Sequence, residues 1–149
     1  MIGALVVTHG NVAEEIIKAA TRIFGDGCKL RPVCIGWDEN VVDARRKIVD
    51  AIQEVDAEDG VLIMTDMFGG TASNLSLTLL DPGKIEVVTG VNLSMLLKFA
   101  NAAPRVRSLG ELAEVVCHRG RESIQIPSRA LRSKSPEGED TPPDRKGDG

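Results

Sequence analysis

The chain has 149 residues, of which 42% are hydrophobic, 27% are charged and only 3% are aromatic, and its formal net charge is −4. This length suits a single domain with a core of Val, Ile, Leu and Ala. An acidic chain is poorly suited to bind a phosphate backbone, and one with few aromatic side chains is poorly suited to stack on nucleobases. We therefore expect no nucleic-acid partner.

The three cysteines, Cys28, Cys34 and Cys117, form no CxxC pattern and cannot all pair. An odd number of cysteines, with no basic leader before the apolar opening segment, indicates reduced thiols in the cytosol. No stretch approaches the ~18 consecutive apolar residues that span a bilayer. We therefore expect a soluble, cytoplasmic protein.

Strand and helix patterns alternate along the chain. Residues 2–7 form a continuous apolar run, as expected for a parallel strand covered on both faces, and the mainly apolar segments 30–35, 61–65 and 85–89 predict three further strands. Apolar residues at helical spacing follow each run, and Pro32 places the second strand at an edge of the sheet. We expect an α/β fold with a doubly wound, mainly parallel sheet and helices on both faces.

Residues that favour helix N-caps precede four of the predicted helices, namely Asn11, Asn40, Asn92 and Ser108. Glu14 and Glu111 would complete capping boxes with Asn11 and Ser108. Residues 123–126 hold too few apolar positions for another helical face, so they predict a short last strand.

The composition changes after residue 127. Residues 128–149 are rich in Pro, Gly and Ser, carry five basic and five acidic residues, and show no periodic apolar pattern. Such a segment cannot bury enough apolar area to offset its ordering entropy. The sequence therefore predicts a domain at 1–127 and a disordered charged tail at 128–149.

Two chemically active residues, His9 and Asp66, follow the first and third predicted strands. The carboxyl ends of parallel strands meet at one edge of a sheet, where ligands bind in open α/β folds. A carboxylate that accepts a hydrogen bond from one ring nitrogen fixes the imidazole tautomer and leaves the other nitrogen free. His9 and Asp66 are therefore the candidate catalytic residues.

Residues at the starts of the following helices suit an anion: Gly10, Asn11, Gly69, Gly70 and Thr71. Glycines let backbone N–H groups approach a phosphate closely, and helix N-termini favour negative charge. Together with His9, these residues predict a histidine that takes up and returns a phosphoryl group.

Simpler interpretations stay open for each residue. His9 could be a structural hydrogen-bonding residue, Asp66 a turn residue or an N-cap, and the glycine pair only a turn. His118, late in a predicted helix, is interpreted as a solvated cation rather than a ligand. Trp37 is either a loop anchor or a residue at the border of the site.

Three segments carry a resemblance to a known family: Thr-His-Gly-Asn at 8–11, Asp-Met-Phe-Gly-Gly-Thr at 66–71 and Gly-Val-Asn-Leu-Ser-Met-Leu at 90–96. In this order and spacing they resemble the mannose-family enzyme IIA of the bacterial phosphoenolpyruvate:sugar phosphotransferase system. The resemblance covers residues 1 to about 127. Thr71-Ala72 departs from the Ser-Pro common in that family, which preserves a hydroxyl but changes the helix start.

The resemblance implies that His9 is phosphorylated by the phosphocarrier protein HPr and that Asp66 is its hydrogen-bonded partner. It implies transfer onward to an enzyme IIB, expected on a separate chain, and contact with a membrane only indirectly through a transporter complex. It also implies a homodimer in which an antiparallel last strand, residues 123–126, is exchanged between subunits. No cofactor and no metal is implied.

Other functions stay open from the sequence. The chain could be a phosphorylatable regulatory module, or a donor to a soluble dihydroxyacetone kinase. The His-Gly pair after the first strand also resembles the small tetrapyrrole metal chelatases, in which a histidine binds the metal. Such an enzyme needs further metal ligands, and His118 is poorly placed to supply one.

Overall fold

The structure is a computed structural model that describes residues 1–55 and 57–132. Four strands and six helices follow one another in these residues: β1 (Gly3–His9), α1 (Val12–Phe24), β2 (Leu30–Ile35), α2 (Val41–Glu54), β3 (Val61–Thr65), α3 (Thr71–Leu77), β4 (Ile85–Thr89), α4 (Leu93–Ala102), α5 (Leu109–Glu122) and α6 (Pro127–Arg132). All four segments predicted as strands form strands. The central strands β1 and β3 are almost entirely buried between the helices, whereas β2 keeps Arg31 and Pro32 exposed and β4 is mostly half-buried.

The strands form one parallel sheet in the order β2-β1-β3-β4. The chain therefore starts in the middle of the sheet, moves outward to β2, and returns across β1 to β3 and β4. The strand order reverses between β1 and β3, and in open α/β sheets the crevice at such a point is the usual ligand site. Pro32 lies on the edge strand β2 opposite Val6, so its missing N–H costs no central ladder bond.

Helices cover both faces of the sheet, which confirms the doubly wound α/β fold. Helices α1, α4 and α5 pack on one face and α2 and α3 on the other. Alternate residues of β1 face the two sides, with Ala4 and Val6 in one apolar cluster and Leu5 and Val7 in the other. All four are fully buried, and a buried Val or Leu side chain contributes about 1.5–3 kcal/mol.

Three of the predicted N-caps are confirmed. The side chains of Asn40, Asn92 and Ser108 accept hydrogen bonds from the N–H groups of Val42, Met95 and Glu111.

The fourth predicted cap is wrong, because the Asn11 side chain makes no capping hydrogen bond. Instead, Oγ1 of the buried Thr8 accepts from the N–H of Ala13 at 2.8 Å. Thr8 lies on β1 and its hydroxyl reaches the first turn of α1 from inside the protein, so the start of this helix is fixed by the strand before it.

The end of the domain differs from the prediction. Residues 123–126 form no strand within the single chain: Ser123 ends α5, its hydroxyl donates to the carbonyl of Gly120, and the segment pairs with no described strand. A strand needs a hydrogen-bonding neighbour, and a single copy offers none here. Helix α6 was not predicted, and its residues 128–132 lie where the sequence predicts the start of the disordered tail. Residues 133–149 lie outside the described residues, so for them the disordered tail stays a prediction.

In the part of the chain that the structure describes, no helix is both long and apolar enough to cross a bilayer.

Candidate active site

The imidazole of His9 lies beside the carboxylate of Asp66. The Nδ1 atom of the ring is 2.7 Å from Oδ2 of Asp66, and both side chains are about one-fifth exposed, at 21%. His9 ends the central strand β1 and Asp66 follows its neighbour β3, so the parallel sheet brings together residues far apart in the sequence. The structure thus places the two candidate catalytic residues in contact.

Asp66 is held by three hydrogen bonds. Its Oδ2 accepts from the backbone N–H of His9 at 2.9 Å as well as from the ring, and its Oδ1 accepts from the N–H of Met67. Partial burial acts to raise the pKa of Asp66, but the hydrogen bonds from His9 and Met67 outweigh it and leave the pKa below its usual value. The carboxylate is therefore ionised and fixed at neutral pH.

The backbone turns sharply directly after His9. Gly10 has a φ of +54°, a conformation that glycine adopts at little cost, and its N–H donates to the carbonyl of Ile35 on β2 at 2.8 Å. This turn ends β1 and lets α1 begin two residues later. His9 is thereby held at the rim of the sheet with its ring partly open to solvent.

Gly70 lies against the edge of the His9 ring. A Cβ atom added there would be 2.7 Å from Cε1 of His9 and 3.4 Å from Nε2. The backbone of Gly70 is extended, with a φ of −84°, so the turn itself does not require glycine. The space beside the imidazole requires it.

The other predicted phosphate-binding residues differ in whether their polar groups are free to bind a phosphate. The N–H of Gly69 donates to Oγ of Ser73 at 3.1 Å, so this group is already occupied. Thr71 is the first residue of α3 and is exposed. Asn11 is also exposed, and its side chain is not used to cap α1. Neither Thr71 nor Asn11 makes a hydrogen bond to the His9 ring in the described structure.

Trp37 stacks on the face of the His9 ring. The two ring centroids are 5.6 Å apart and the planes are inclined by only 20°. The sequence left open whether Trp37 anchors a loop or borders the site, and the structure favours the border. Its position two residues after the edge strand β2, at the same end of the sheet as His9, was the signal available in the sequence.

The remaining candidates lie apart from this site or show no ligand geometry. His118 is 73% exposed, with Nε2 3.2 Å from Oε1 of Glu122 on the next turn of α5. The three cysteines are free thiols and partly buried. Among residues 1–55 and 57–132, no group of three or more His, Cys, Asp or Glu side chains could hold a metal ion.

Comparison with known proteins places this site in a family. Residues 3–117 match the family described as the PTS system fructose IIA component. The chain is 30% identical over 139 residues to the PTS system mannose-specific EIIAB component of Escherichia coli K12, an alignment that covers 89% of this chain. The chain spans about 40% of the length of that relative.

Two further comparisons cover whole proteins. The chain is 25% identical over 142 residues to the PTS system fructose-specific EIIA component of Bacillus subtilis, covering 95% of this chain and 97% of that protein. Its fold matches the crystal structure of the EIIA component from Streptococcus agalactiae with a TM-score of 0.78 and 26% identity, over 87% of this chain and 99% of that one. The chain belongs to the mannose/fructose enzyme IIA family of the phosphotransferase system.

Proposed function

We propose that this protein is a phosphocarrier in a sugar phosphotransferase system. His9 accepts a phosphoryl group from phospho-HPr on Nε2 and passes it to an enzyme IIB acceptor, which serves sugar uptake and phosphorylation. The observation that carries the proposal is the 2.7 Å contact between Nδ1 of His9 and the fixed carboxylate of Asp66. The family to which the chain belongs supports it.

The contact determines which ring nitrogen reacts. In the neutral ring, Nδ1–H donates to Asp66 and the lone pair is on Nε2. Nε2 attacks phosphorus, the bond between phosphorus and the donor nitrogen breaks, and the donor keeps that electron pair. The ring gains positive charge while the Nδ1 proton stays in place, and the carboxylate of Asp66 stabilises that charge. The reverse sequence releases the group to the acceptor.

The phosphoryl oxygens need donors close to Nε2. We assign this role to the starts of α1 and α3, with Gly10 and Asn11 on one side and Gly70 and Thr71 on the other, because backbone N–H groups at helix starts suit an anion. Gly69 contributes by shaping the turn at a φ of +86° rather than through its N–H, which donates to Ser73.

The proposal is tested by phosphoryl transfer from phospho-HPr. The wild-type protein is incubated with HPr, enzyme I and phosphoenolpyruvate, and the modified residue is mapped by mass spectrometry under alkaline conditions. We expect one acid-labile phosphoryl group on His9 and none in His9→Gln. A label that persists in His9→Gln overturns the assignment.

The acceptor is tested separately. Phosphorylated protein is mixed with candidate IIB proteins and with a dihydroxyacetone kinase, and loss of its phosphoryl group is followed. Transfer to a IIB supports the sugar-uptake role. Transfer to the kinase alone, or to none of them, would instead support the kinase-donor or the regulatory role.

We also propose that the protein acts as a homodimer. Strand β4 pairs only with β3 among the described strands, and an open edge of this kind invites pairing with another chain. Ile124 and Ile126 are 80% and 54% exposed, and Ile124 lines a cavity of about 440 Å³ beside β4. If residues 123–126 of one copy paired along β4 of the other, they would cover both the open edge of β4 and the exposed side chains of Ile124 and Ile126.

The dimer is tested by light scattering coupled to size exclusion, at several protein concentrations. We expect a dimer for the wild type and a monomer for the double variant Ile124→Asp/Ile126→Asp. A wild-type monomer across that range would overturn this part of the proposal.

A further inference from the structure

Trp37 is stacked on the reactive ring although it is otherwise exposed. Its side chain is the most exposed large hydrophobic group of the described residues, at 81%, yet it lies nearly parallel to His9 with the ring centroids 5.6 Å apart. General burial in the core therefore does not account for its position. The backbone at Gly10 lies beneath the indole as well, since a Cβ there would be 3.6 Å from Nε1 of Trp37.

The loop that carries Trp37 is tied to α2. Oε2 of Glu39 accepts from the N–H of Gly36 at 2.9 Å, and its Oε1 is 2.6 Å from Nζ of Lys47. The N–H of Glu39 in turn donates to the carbonyl of Gly36 at 3.2 Å. These bonds close residues 36–39 into a compact turn on both sides of the tryptophan, so the indole is presented to His9 from a fixed base.

The His9 ring is thus contacted from three directions: Asp66 at Nδ1, Gly70 at the Cε1 edge and Trp37 on one face. We propose that Trp37 is a positioning residue that holds the imidazole for attack through Nε2 and stabilises the positively charged, phosphorylated ring. This inference rests on the proposed function of His9.

The chemistry of the transfer favours an aromatic face at this place. When the Nε2–P bond forms and the donor's N–P bond breaks, the ring keeps its Nδ1 proton and becomes cationic. The face of an indole carries negative electrostatic potential and attracts a cation stacked upon it. Trp37 therefore interacts more strongly with the phosphorylated ring than with the neutral one, which is the requirement for accelerating its formation.

An exposed tryptophan could also serve only to dock partner proteins, and the choice of donor separates the two roles. Phosphoramidate is a small donor that needs no protein interface, whereas phospho-HPr needs one. Initial rates of His9 phosphorylation are measured with each donor for the wild type, Trp37→Ala and Trp37→Phe. Ile23→Ala serves as the control, because it removes an exposed apolar side chain from α1 away from the site.

We expect Trp37→Ala to slow phosphorylation by both donors by about 2- to 5-fold, the range given by cation–π energies at exposed sites. Trp37→Phe should recover most of the rate, and Ile23→Ala should match the wild type. Hydrolysis of the phosphohistidine should also be faster in Trp37→Ala. A Trp37→Ala protein that is slowed only with phospho-HPr, or with neither donor, overturns the inference while leaving the proposed function intact. A wild type that takes up phosphoryl from neither donor overturns both.

Fluorescence checks the stack without any transfer. Trp37 is the only tryptophan in the sequence, so excitation of indole reports on this residue alone. Replacing His9 with Ala should change its emission intensity, and phosphorylation of His9 should change it again. Identical emission from the wild type and His9→Ala would show that the rings do not stack in solution. Circular dichroism of each variant confirms that the fold is retained.

Discussion

A methyl group on Gly70 would lie 2.7 Å from Cε1 of His9, closer than two non-bonded carbon atoms can approach. The ring cannot move away freely, because Asp66 holds its Nδ1 and Trp37 covers one face. The absence of a side chain at position 70 is therefore part of the geometry of the histidine itself.

Gly70→Ala is expected to displace the imidazole and to slow phosphorylation of His9 by about 10- to 100-fold, since small misplacements of reacting groups have effects of this size. Rapid-quench measurement of the rate tests this expectation. The matched control is Gly110→Ala on α5, where nothing lies within 4 Å of the added methyl group. The control should phosphorylate at the wild-type rate and gain about 0.5–1 kcal/mol in unfolding free energy. Equal rates in Gly70→Ala and Gly110→Ala would contradict the steric argument.

Asp66→Asn is expected to slow phosphorylation by about 100-fold or more while the fold is retained. The amide oxygen can still accept from Nδ1–H, but it carries no charge to stabilise the cationic ring. Single-turnover kinetics with phospho-HPr measure the effect. Asp26→Asn removes the same charge from the exposed loop after α1 and should behave as the wild type. Wild-type kinetics in Asp66→Asn would remove Asp66 from the mechanism.

The lowered pKa of Asp66 also predicts how stability depends on pH. A carboxyl group whose pKa is lower in the folded state adds stability above its unfolded value, near 3.8, and that stability is lost as the pH falls through the folded value. The free energy of unfolding of the wild type should therefore decrease more steeply than that of Asp66→Asn as the pH falls below about 4. Urea unfolding of both proteins, in acid and near neutral pH, measures the difference. Parallel curves would show that the carboxylate is not held by His9 in solution.

The start of α1 gives a fourth prediction, on stability alone. Thr8→Val removes the hydroxyl that accepts from the N–H of Ala13 and leaves this buried group unpaired, so we expect a loss of about 1–2 kcal/mol. Asn11→Ala removes a side chain that caps nothing and should cost less than about 0.5 kcal/mol. Chemical denaturation of the two variants decides the matter. A larger loss in Asn11→Ala would restore Asn11 as the cap.

The sheet and the meeting of His9 with Asp66 were predictable, for a simple physical reason. Short apolar segments that alternate with helical patterns are typical of parallel strands, and the carboxyl ends of neighbouring parallel strands share one edge of the sheet. Three strands have the bounds expected from their apolar runs, and the catalytic candidates follow from where those strands end.

Features that depend on contacts across the fold were not predictable. Thr8 caps α1 from five residues before Ala13, outside the local pattern that pointed to Asn11. The orientation of Trp37 depends on a turn closed by Glu39 and Lys47, which no periodicity reveals. Residues 123–126 look like a strand by composition, but a strand exists only beside a partner.

Because His9 is on β1 and Asp66 follows β3, the two residues lie 57 positions apart in the sequence and meet only when those strands pair. A nascent chain still emerging from the ribosome, with β1 complete and β3 not yet synthesised, holds the histidine but no competent centre. Under the proposed function, the capacity to accept a phosphoryl group therefore arises only once this long-range pairing is complete.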